Sequence, residues 1–217
     1  MGTYENGDET KAHILAACEK LFLEKGYSAT TFLDICKEAH VNQGSIYYHF
    51  KEKTELFRRV AEKINEDHQA LAQKLLPEDA PAYMMFLLDI YVYWHRIYHD
   101  ENYRRFMATP GPSVSSELEQ YIGYWQHCRS FIPEFDSFFS DHALDIIACA
   151  GIDRQLTLYV AGNMEKYTWQ EVAEYQVCAI ARIFQYSPES IARTIHSIRN
   201  ILNNIDLERL WCCHAYE

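Results

Sequence analysis

The chain has 217 residues, 48% of them apolar and 24% charged, and its formal net charge of −11 argues against bulk, charge-driven binding to nucleic acid. Its longest apolar run, residues 83–94, contains Asp89 and is too short to span a bilayer. The first residues are polar and acidic, unlike a signal peptide, and none of the seven cysteines forms a CxxC pair. We therefore expect a globular, cytoplasmic protein of one or two domains with reduced thiols and no membrane association.

The negative charge is unevenly distributed along the chain. Residues 1–62 carry 8 Lys and Arg against 10 Asp and Glu, so most of the acidity lies in the larger C-terminal part. Between residues 40 and 59 the balance becomes positive, with four Lys and Arg against two Glu. A small basic region on an acidic body is compatible with focused contact to phosphates.

Apolar spacing and capping signals predict helices before residue 77, over about 9–25, 31–38, 43–49 and 54–75. Gly26 is a typical stop for the first of them. Thr31 and Asp34 form a capping-box pattern at the start of the second, and Asn42 is a favourable N-cap for the third. The first part of the chain is therefore predicted to be three short helices and one longer helix.

Helices are also predicted beyond residue 77, over about 82–99, 113–131, 141–161, 169–186 and 188–205. The TPGP sequence at 109–112 breaks the pattern, and Thr168 with Glu171 forms another capping box. Ser187 followed by Pro188 supplies an N-cap with proline at the first helical position. Because no period-two alternation or internal repeat is present, the predicted fold class is all-α.

Residues 41–50, VNQGSIYYHF, suggest a binding surface on the third helix. Ile46 and Phe50 are four residues apart and face one way, whereas Gln43, Tyr47 and Tyr48 point largely elsewhere. Two short helices joined by a tight turn, the second presenting polar and aromatic side chains, are the plan of a helix-turn-helix that reads the DNA major groove. The alternatives are that the tyrosines cover the core and that the lysines after them form an ordinary solvated face.

The sequence ATTFLDICKEAHVNQGSIYYHFKEKTELF resembles the DNA-binding domain of the TetR family of transcriptional regulators, and the resemblance covers about residues 9–60. It implies an N-terminal three-helix helix-turn-helix DNA-binding domain over 1–53, a linking helix over 54–75, and a helical ligand-binding and dimerisation domain over 76–217. The family usually has glycine where this chain has His40, so we expect a strained, left-handed backbone there.

The resemblance also implies which residues contact DNA: Thr31, Asn42, Gln43, Gly44, Ser45, Tyr47, Tyr48, His49, Lys51 and Lys53. In this set Gln43 would read an adenine through its amide. Thr31, at the start of the second helix, and Lys53, at the start of the fourth, would contact phosphates, as would Tyr47 and His49.

The C-terminal part is rich in aromatic residues between 83 and 125, more than one helix stripe needs. We interpret them as a pocket for a small molecule, with the candidate lining residues Tyr91, Trp94, His95, Tyr98, Phe106, Tyr124 and Trp125. A bundle core that happens to be aromatic explains the pattern equally well.

Metal-ligating residue types occur in two places. His95 and His99 are four residues apart on one predicted helix face, with Asp100, His127 and His142 as candidate third ligands, and Cys212, Cys213 and His214 lie near the end of the chain. Both patterns arise easily by chance, so we expect no metal and no cofactor. No nucleophile–base pair, phosphate loop or paired carboxylate motif is present, and we expect no enzymatic activity.

Together these features predict a ligand-responsive, sequence-specific regulator. The resemblance implies a homodimeric repressor released from a palindromic DNA operator by a small-molecule effector, with helices over about 141–162 and 169–186 forming the dimer interface. The alternatives are a helical small-molecule or metal-binding sensor whose DNA-binding head is vestigial, and a protein-interaction adaptor.

Overall fold

The computed structural model describes residues 2–78, 80, 83–109, 143–205 and 207, and the regular elements within these ranges are all helical. In chain order they are α1 (Gly2–Lys25), α2 (Phe32–Glu38), α3 (Gln43–His49), α4 (Lys53–Leu75), α5 (Tyr83–His99), α6 (Glu101–Ala108), α7 (Ala143–Ala161), a 3₁₀ helix (Met164–Lys166), α8 (Trp169–Ile183) and α9 (Pro188–Leu202). The predicted all-α fold class is confirmed, and the helix predicted over 113–131 lies outside the described residues.

The short helices begin at the predicted caps. The backbone N–H of Asp34 donates to the Thr31 hydroxyl at 3.2 Å, and the Ser45 N–H donates to Asn42 Oδ1 at 2.9 Å. Gly26 follows α1 with φ 86°, and His40 adopts φ 54°, the left-handed conformation expected at this turn. Local polar signals therefore set the start of α2 and α3 and the turn between them.

Several helix boundaries differ from the prediction, among them the end of α9 at Leu202 rather than at about residue 205. α1 begins at Gly2 rather than at about residue 9, and α4 begins at Lys53, one residue before Thr54. α8 ends at Ile183, short of residue 186, because Gln185 has φ 57° and cannot continue the helix. The division into domains at residues 53 and 75 remains a prediction.

The aromatic segment after residue 82 forms two helices. α5 ends at His99, and Asp100 then begins α6 by accepting a hydrogen bond from the Tyr103 N–H at 2.9 Å. This break puts Phe106 on a separate helix, and the sequence reading did not anticipate it.

The first three helices, hereafter the head, enclose a small apolar core. Its central side chains, which are fully or almost fully buried, are Ile14, Cys18, Phe22, Ile35, Ile46 and Phe50. Burial of a side chain of this size stabilises the fold by about 1.5–3 kcal/mol. The head therefore holds α3 by one face and leaves the opposite face to solvent.

The head is joined to the remaining helices through α4 and α6. The Phe57 ring of α4 lies 5.0 Å from Tyr27 in the loop after α1 and 5.2 Å from Phe106 of α6. Arg105 of α6 donates to the carbonyl of Leu23 at 2.6 Å and to that of Glu24, at the C-terminal end of α1. α5 packs between α4 and α8 and forms the centre of the larger bundle.

Candidate nucleic-acid interface and effector cavity

α3 presents a polar and aromatic surface to solvent. Gln43 is exposed, and Tyr47 and Tyr48 keep 49% and 84% of their surface accessible. Ile46, on the opposite side of the helix, is completely buried, and Phe50 after the helix is 1% exposed. The helix therefore offers an amide and two phenols to a partner surface.

Two of these side chains are ordered by their neighbours. The Tyr47 ring lies 5.2 Å from Phe32 of α2, and the Gln43 amide donates to the Tyr47 hydroxyl at 3.4 Å. Tyr48 packs edge-on against His49 at 4.9 Å. Side chains held in this way lose less conformational entropy when they bind a partner.

The start of α3 also depends on its cap. Asn42 Oδ1 accepts from both the backbone N–H and the hydroxyl of Ser45, at 2.9 and 3.3 Å. A Cβ atom at Gly44 would lie only 3.0 Å from the same oxygen. Glycine at this position therefore keeps the cap intact. This is a structural reason for glycine here, in addition to the close approach of α3 to a DNA groove that it would allow.

Thr31 is engaged by Asp34. Both the hydroxyl and the backbone N–H of Thr31 donate to Asp34 Oδ2, at 2.7 and 2.9 Å. These bonds, with the ion pair to Lys25 at 3.1 Å, hold the pKa of Asp34 well below its usual range. A phosphate at Thr31 would have to compete with an ionised carboxylate for the same two donors.

The two lysines predicted to bind phosphate are in different environments. Lys53 donates to the carbonyl of Tyr27 and its ammonium lies 4.3 Å from the centre of the Tyr27 ring. Burial lowers the pKa of Lys53. The Lys51 side chain is exposed and has no partner among the described residues. Lys51 is therefore the more available of the two.

A cavity of about 400 Å³ lies among α4, α5, α6 and α7, with α8 contributing one side chain. Its aromatic lining residues are Phe57, Phe86, Tyr93 and Phe106. Its polar lining includes Asn65, His68, Asp89, Asp153, Arg154, Thr157 and Gln176. A volume of this size is within the range of sites that hold small organic ligands.

The residues predicted to line a pocket divide between this cavity and the α5–α8 contact. Phe106 lines the cavity, whereas Tyr91 and His95 pack against Trp169 at the start of α8. The other described members of the predicted set do not line it either: the Trp94 indole is buried and donates to Gln176, and the Tyr98 hydroxyl donates to the carbonyl of Tyr167. Tyr124 and Trp125 lie outside the described residues.

A buried hydrogen-bond network connects the cavity to α8. Trp94 Nε1 donates to Gln176 Oε1 at 2.5 Å, and the Gln176 amide donates to Asp153 Oδ1 at 3.2 Å. The Tyr93 and Thr157 hydroxyls are 2.6 Å apart. Burial raises the pKa of Asp153 to about 6, although Gln176 and Arg154 oppose the shift.

Sequence reasoning missed Asp153 and Gln176, yet a signal for Asp153 was present. Asp153 shares one face of α7 with Cys149, Thr157 and Val160, at helical spacings of four and three residues. These three neighbours are buried. An acidic residue in line with buried neighbours on a helix indicates a special environment.

His95 and His99 interact through their rings. Their ring centres are 4.0 Å apart with nearly parallel planes, and His99 Nδ1 donates to the His95 carbonyl at 2.7 Å. Burial lowers the pKa of His95 to about 4. No group of three potential metal ligands is found among the described residues, and His127, His142 and the cysteines near the end of the chain lie outside them.

The head and its exposed helix have the arrangement of a helix-turn-helix, and comparison with known proteins shows which family this part of the chain resembles. Residues 14–60 match the family described as bacterial regulatory proteins, tetR family. Over 77 residues the chain is 39% identical to the HTH-type transcriptional regulator TtgR of Pseudomonas putida, a match that covers 36% of this chain and 37% of TtgR. The N-terminal part of the chain is therefore similar to TetR-family regulators, and the match spans little more than a third of the length of TtgR.

Solved structures share the fold over a longer range. The structure of RolR in complex with resorcinol has a TM-score of 0.64 at 14% identity, over 88% of this chain and 95% of RolR. The fatty acid degradation regulator FadR from Bacillus halodurans has a TM-score of 0.56 at 14% identity, over 82% of this chain and all of FadR. At this identity the likeness concerns the fold alone. Among the described residues, the helices are too short or too polar to cross a membrane.

Proposed function

We propose that the chain is a DNA-binding transcriptional regulator whose α3 reads base edges in a major groove. The observation that carries this proposal is the exposed face of α3, with Gln43, Tyr47 and Tyr48 turned outward and Ile46 buried beneath. An amide can read adenine, while phenols contact phosphates and sugars. The family and the relatives named as transcriptional regulators support the same role.

Binding as a homodimer to a palindromic operator is part of this proposal. α7 and α8 leave large apolar side chains exposed, among them Leu144 at 78% and Tyr175 at 61%. An unpaired apolar face of this kind favours association with a second copy. Two heads related by a twofold axis would meet half-sites in successive major grooves.

Release by a small molecule is the regulatory part. The cavity is lined by Phe57 of α4 and Phe106 of α6, and both helices contact the head. Arg105, next to Phe106, holds the C-terminal end of α1 through two carbonyls. An effector that binds one position of α6 better than another would shift the head between DNA-competent and incompetent spacings. The structure of RolR with resorcinol supports a small organic effector.

Selection of bound sites from random duplex DNA tests the proposal. The wild-type protein is expected to enrich a palindrome, and Tyr47→Ala is expected to lose that enrichment because it removes an ordered contact on α3. Tyr167→Ala is the matched control, since this tyrosine is similarly exposed, at 45%, but lies in the loop before α8.

The selection is run with and without cell extract, so that a required effector is supplied. If the folded, dimeric protein enriched no site in either condition, the proposal would be contradicted. The alternative, a small-molecule or metal-binding sensor whose DNA-binding head is vestigial, would then be favoured. Equal loss in the two tyrosine variants would remove α3 from the interface.

A further inference from the structure

The cavity contains a partly buried carboxylate, that of Asp153, which has no ion-pair partner among the described residues. Asp153 Oδ1 accepts one hydrogen bond, from the neutral amide of Gln176 at 3.2 Å, and within the described part of the chain no Lys, Arg or His forms an ion pair with this side chain. Arg154, the next residue in the chain, donates to the carbonyl of Met107 at 2.7 Å. The second carboxylate oxygen of Asp153 accepts no hydrogen bond from the residues that the structure describes.

The charges of the lining are predominantly negative. Asp89 and Asp153 face one cation, Arg154, among the lining residues. His68 contributes no charge, because burial and the neighbouring Arg96 lower its pKa to about 3. The Arg96 guanidinium can only donate, so it donates to His68 Nε2 at 3.0 Å and His68 carries its proton on Nδ1.

The hydrogen-bond network alone does not require this charge. An asparagine at position 153 could accept from Gln176 equally well and would avoid the cost of burying a carboxylate. That cost is visible in the raised pKa of Asp153. An unpaired ionisable group with a shifted pKa in a cavity is an indication of a functional site.

The walls around Asp153 suit a cation as well. Tyr93, Phe86 and Phe106 line the same cavity, and the faces of aromatic rings attract positive charge. An anion would be repelled by the Asp153 carboxylate, and a neutral ligand would leave that carboxylate without an ion-pair partner.

We propose that the cavity binds an organic monocation, an aromatic body carrying a protonated amine that donates to Asp153. This inference rests on the proposed effector role of the cavity but is independent of DNA binding by the head. A volume of about 400 Å³ accommodates an arylalkylamine.

Three probes with one indole skeleton separate charge from shape: tryptamine is a cation, tryptophol is neutral and indole-3-acetate is an anion. Isothermal titration of the full-length protein at pH 7.5 is expected to show tryptamine binding about tenfold or more tightly than tryptophol, since a charge-assisted hydrogen bond replaces a neutral one. Indole-3-acetate is expected to bind most weakly. Equal affinities, a preference for the anion, or no tryptamine binding at millimolar concentration would overturn the proposal.

Variants locate the charge and the site. Asp153→Asn is expected to abolish the preference for tryptamine while leaving tryptophol binding within about twofold, whereas Glu165→Gln, an exposed acid outside the cavity, should change neither. Ala150→Leu, which fills part of the cavity, is expected to weaken all bound probes together. A preference for tryptamine that survives in folded Asp153→Asn would overturn the role of Asp153, and unaffected binding in Ala150→Leu would overturn the location.

The same titration distinguishes this inference from the proposed function. Tyr47→Ala is expected to bind tryptamine as the wild type does, since α3 is remote from the cavity lining. Tryptamine binding by a wild-type protein that selects no DNA site would contradict DNA regulation and leave the ligand class standing. A wild-type protein that selects a DNA site but binds tryptamine no more tightly than tryptophol would support DNA regulation and contradict the proposed ligand class.

Discussion

The head and the larger bundle use polar side chains in opposite ways. In the head most of them lie outside the apolar core, so that Gln43 and Tyr48 are exposed while Ile46 is buried. In the bundle several polar groups lie inside. Gln176 and Thr157 are almost fully buried; Gln176 is hydrogen-bonded to Trp94 and Asp153, and Thr157 is hydrogen-bonded to Tyr93. A surface polar group stays solvated before binding, whereas a buried one has already lost its water during folding.

This difference predicts different consequences of mutation. Substitutions on the exposed face of the head should alter binding and leave stability nearly unchanged. Substitutions in the buried network of the bundle should alter stability and ligand binding together, because the same atoms serve both. The predictions below test that contrast, beginning with the largest effect.

Trp94→Ala is expected to lower the free energy of unfolding by about 3–5 kcal/mol, because it empties a completely buried site and leaves Gln176 without its indole donor. Tyr48→Ala, its counterpart on the head, should change the same quantity by less than about 0.5 kcal/mol. Urea denaturation followed by circular dichroism measures both. Similar losses in the two variants would abolish the contrast between the regions.

Gln43→Ala is expected to relax base selectivity at one position of the operator by about 1–3 kcal/mol, since the amide would no longer pair with a base edge. Its stability should match the wild type, because the side chain is exposed. Competition binding with operators altered at single positions gives the selectivity. If the ranking of those operators were the same in the variant, Gln43 would not be a base-reading residue.

Asp153→Asn is expected to stabilise the protein at pH 7.5 by about 1–3 kcal/mol. Asp153 has an ordinary pKa of 3.8, which burial raises to about 6 in the folded protein. The folded state therefore holds the proton more tightly, and ionisation of Asp153 costs it stability as pH rises from about 4 through 6. The asparagine variant avoids that cost.

The pH dependence provides the check on this interpretation. The difference in free energy of unfolding between wild type and Asp153→Asn should reach its full value above about pH 6. It should vanish below about pH 4, where the carboxyl is protonated in both the folded and the unfolded protein. Glu165→Gln serves as the exposed control and should show no such dependence. A variant that is less stable than the wild type at pH 7.5 would show that the charge is compensated within the fold.

The head was largely predictable from sequence because its determinants are local. Asp34 lies three residues after Thr31 and forms the capping box of α2 with it. Asn42 caps α3 by accepting a hydrogen bond from the backbone N–H of Ser45, three residues later. Each signal can be read within one turn of helix. The left-handed backbone at His40 was expected from the resemblance, because the family usually has glycine at this turn.

The cavity was not predictable in the same way, since it depends on how helices far apart in the chain pack together. Trp94 and Gln176 are 82 residues apart, and Tyr93 and Thr157 are 64 apart. Aromatic content alone pointed to α5 as a whole and could not tell which face meets α8 and which meets the cavity. The break at Asp100 was hidden because aromatic residues continue on both sides of it.

The smallest predicted effect concerns Lys51, just before α4, and Lys53, its first residue. Lys51→Ala is expected to weaken binding to all DNA sequences about equally and to reduce the slope of affinity against salt concentration by about one phosphate contact. Lys53→Ala should instead lower stability by about 0.5–1.5 kcal/mol, because its ammonium donates to the Tyr27 carbonyl, 26 residues earlier in the chain. Salt-dependent binding and urea denaturation of both variants separate the two roles. If Lys53→Ala changed the salt slope and not the stability, its ammonium would leave Tyr27 for a phosphate in the complex, and the head would bind through a side chain that the free protein uses to hold itself together.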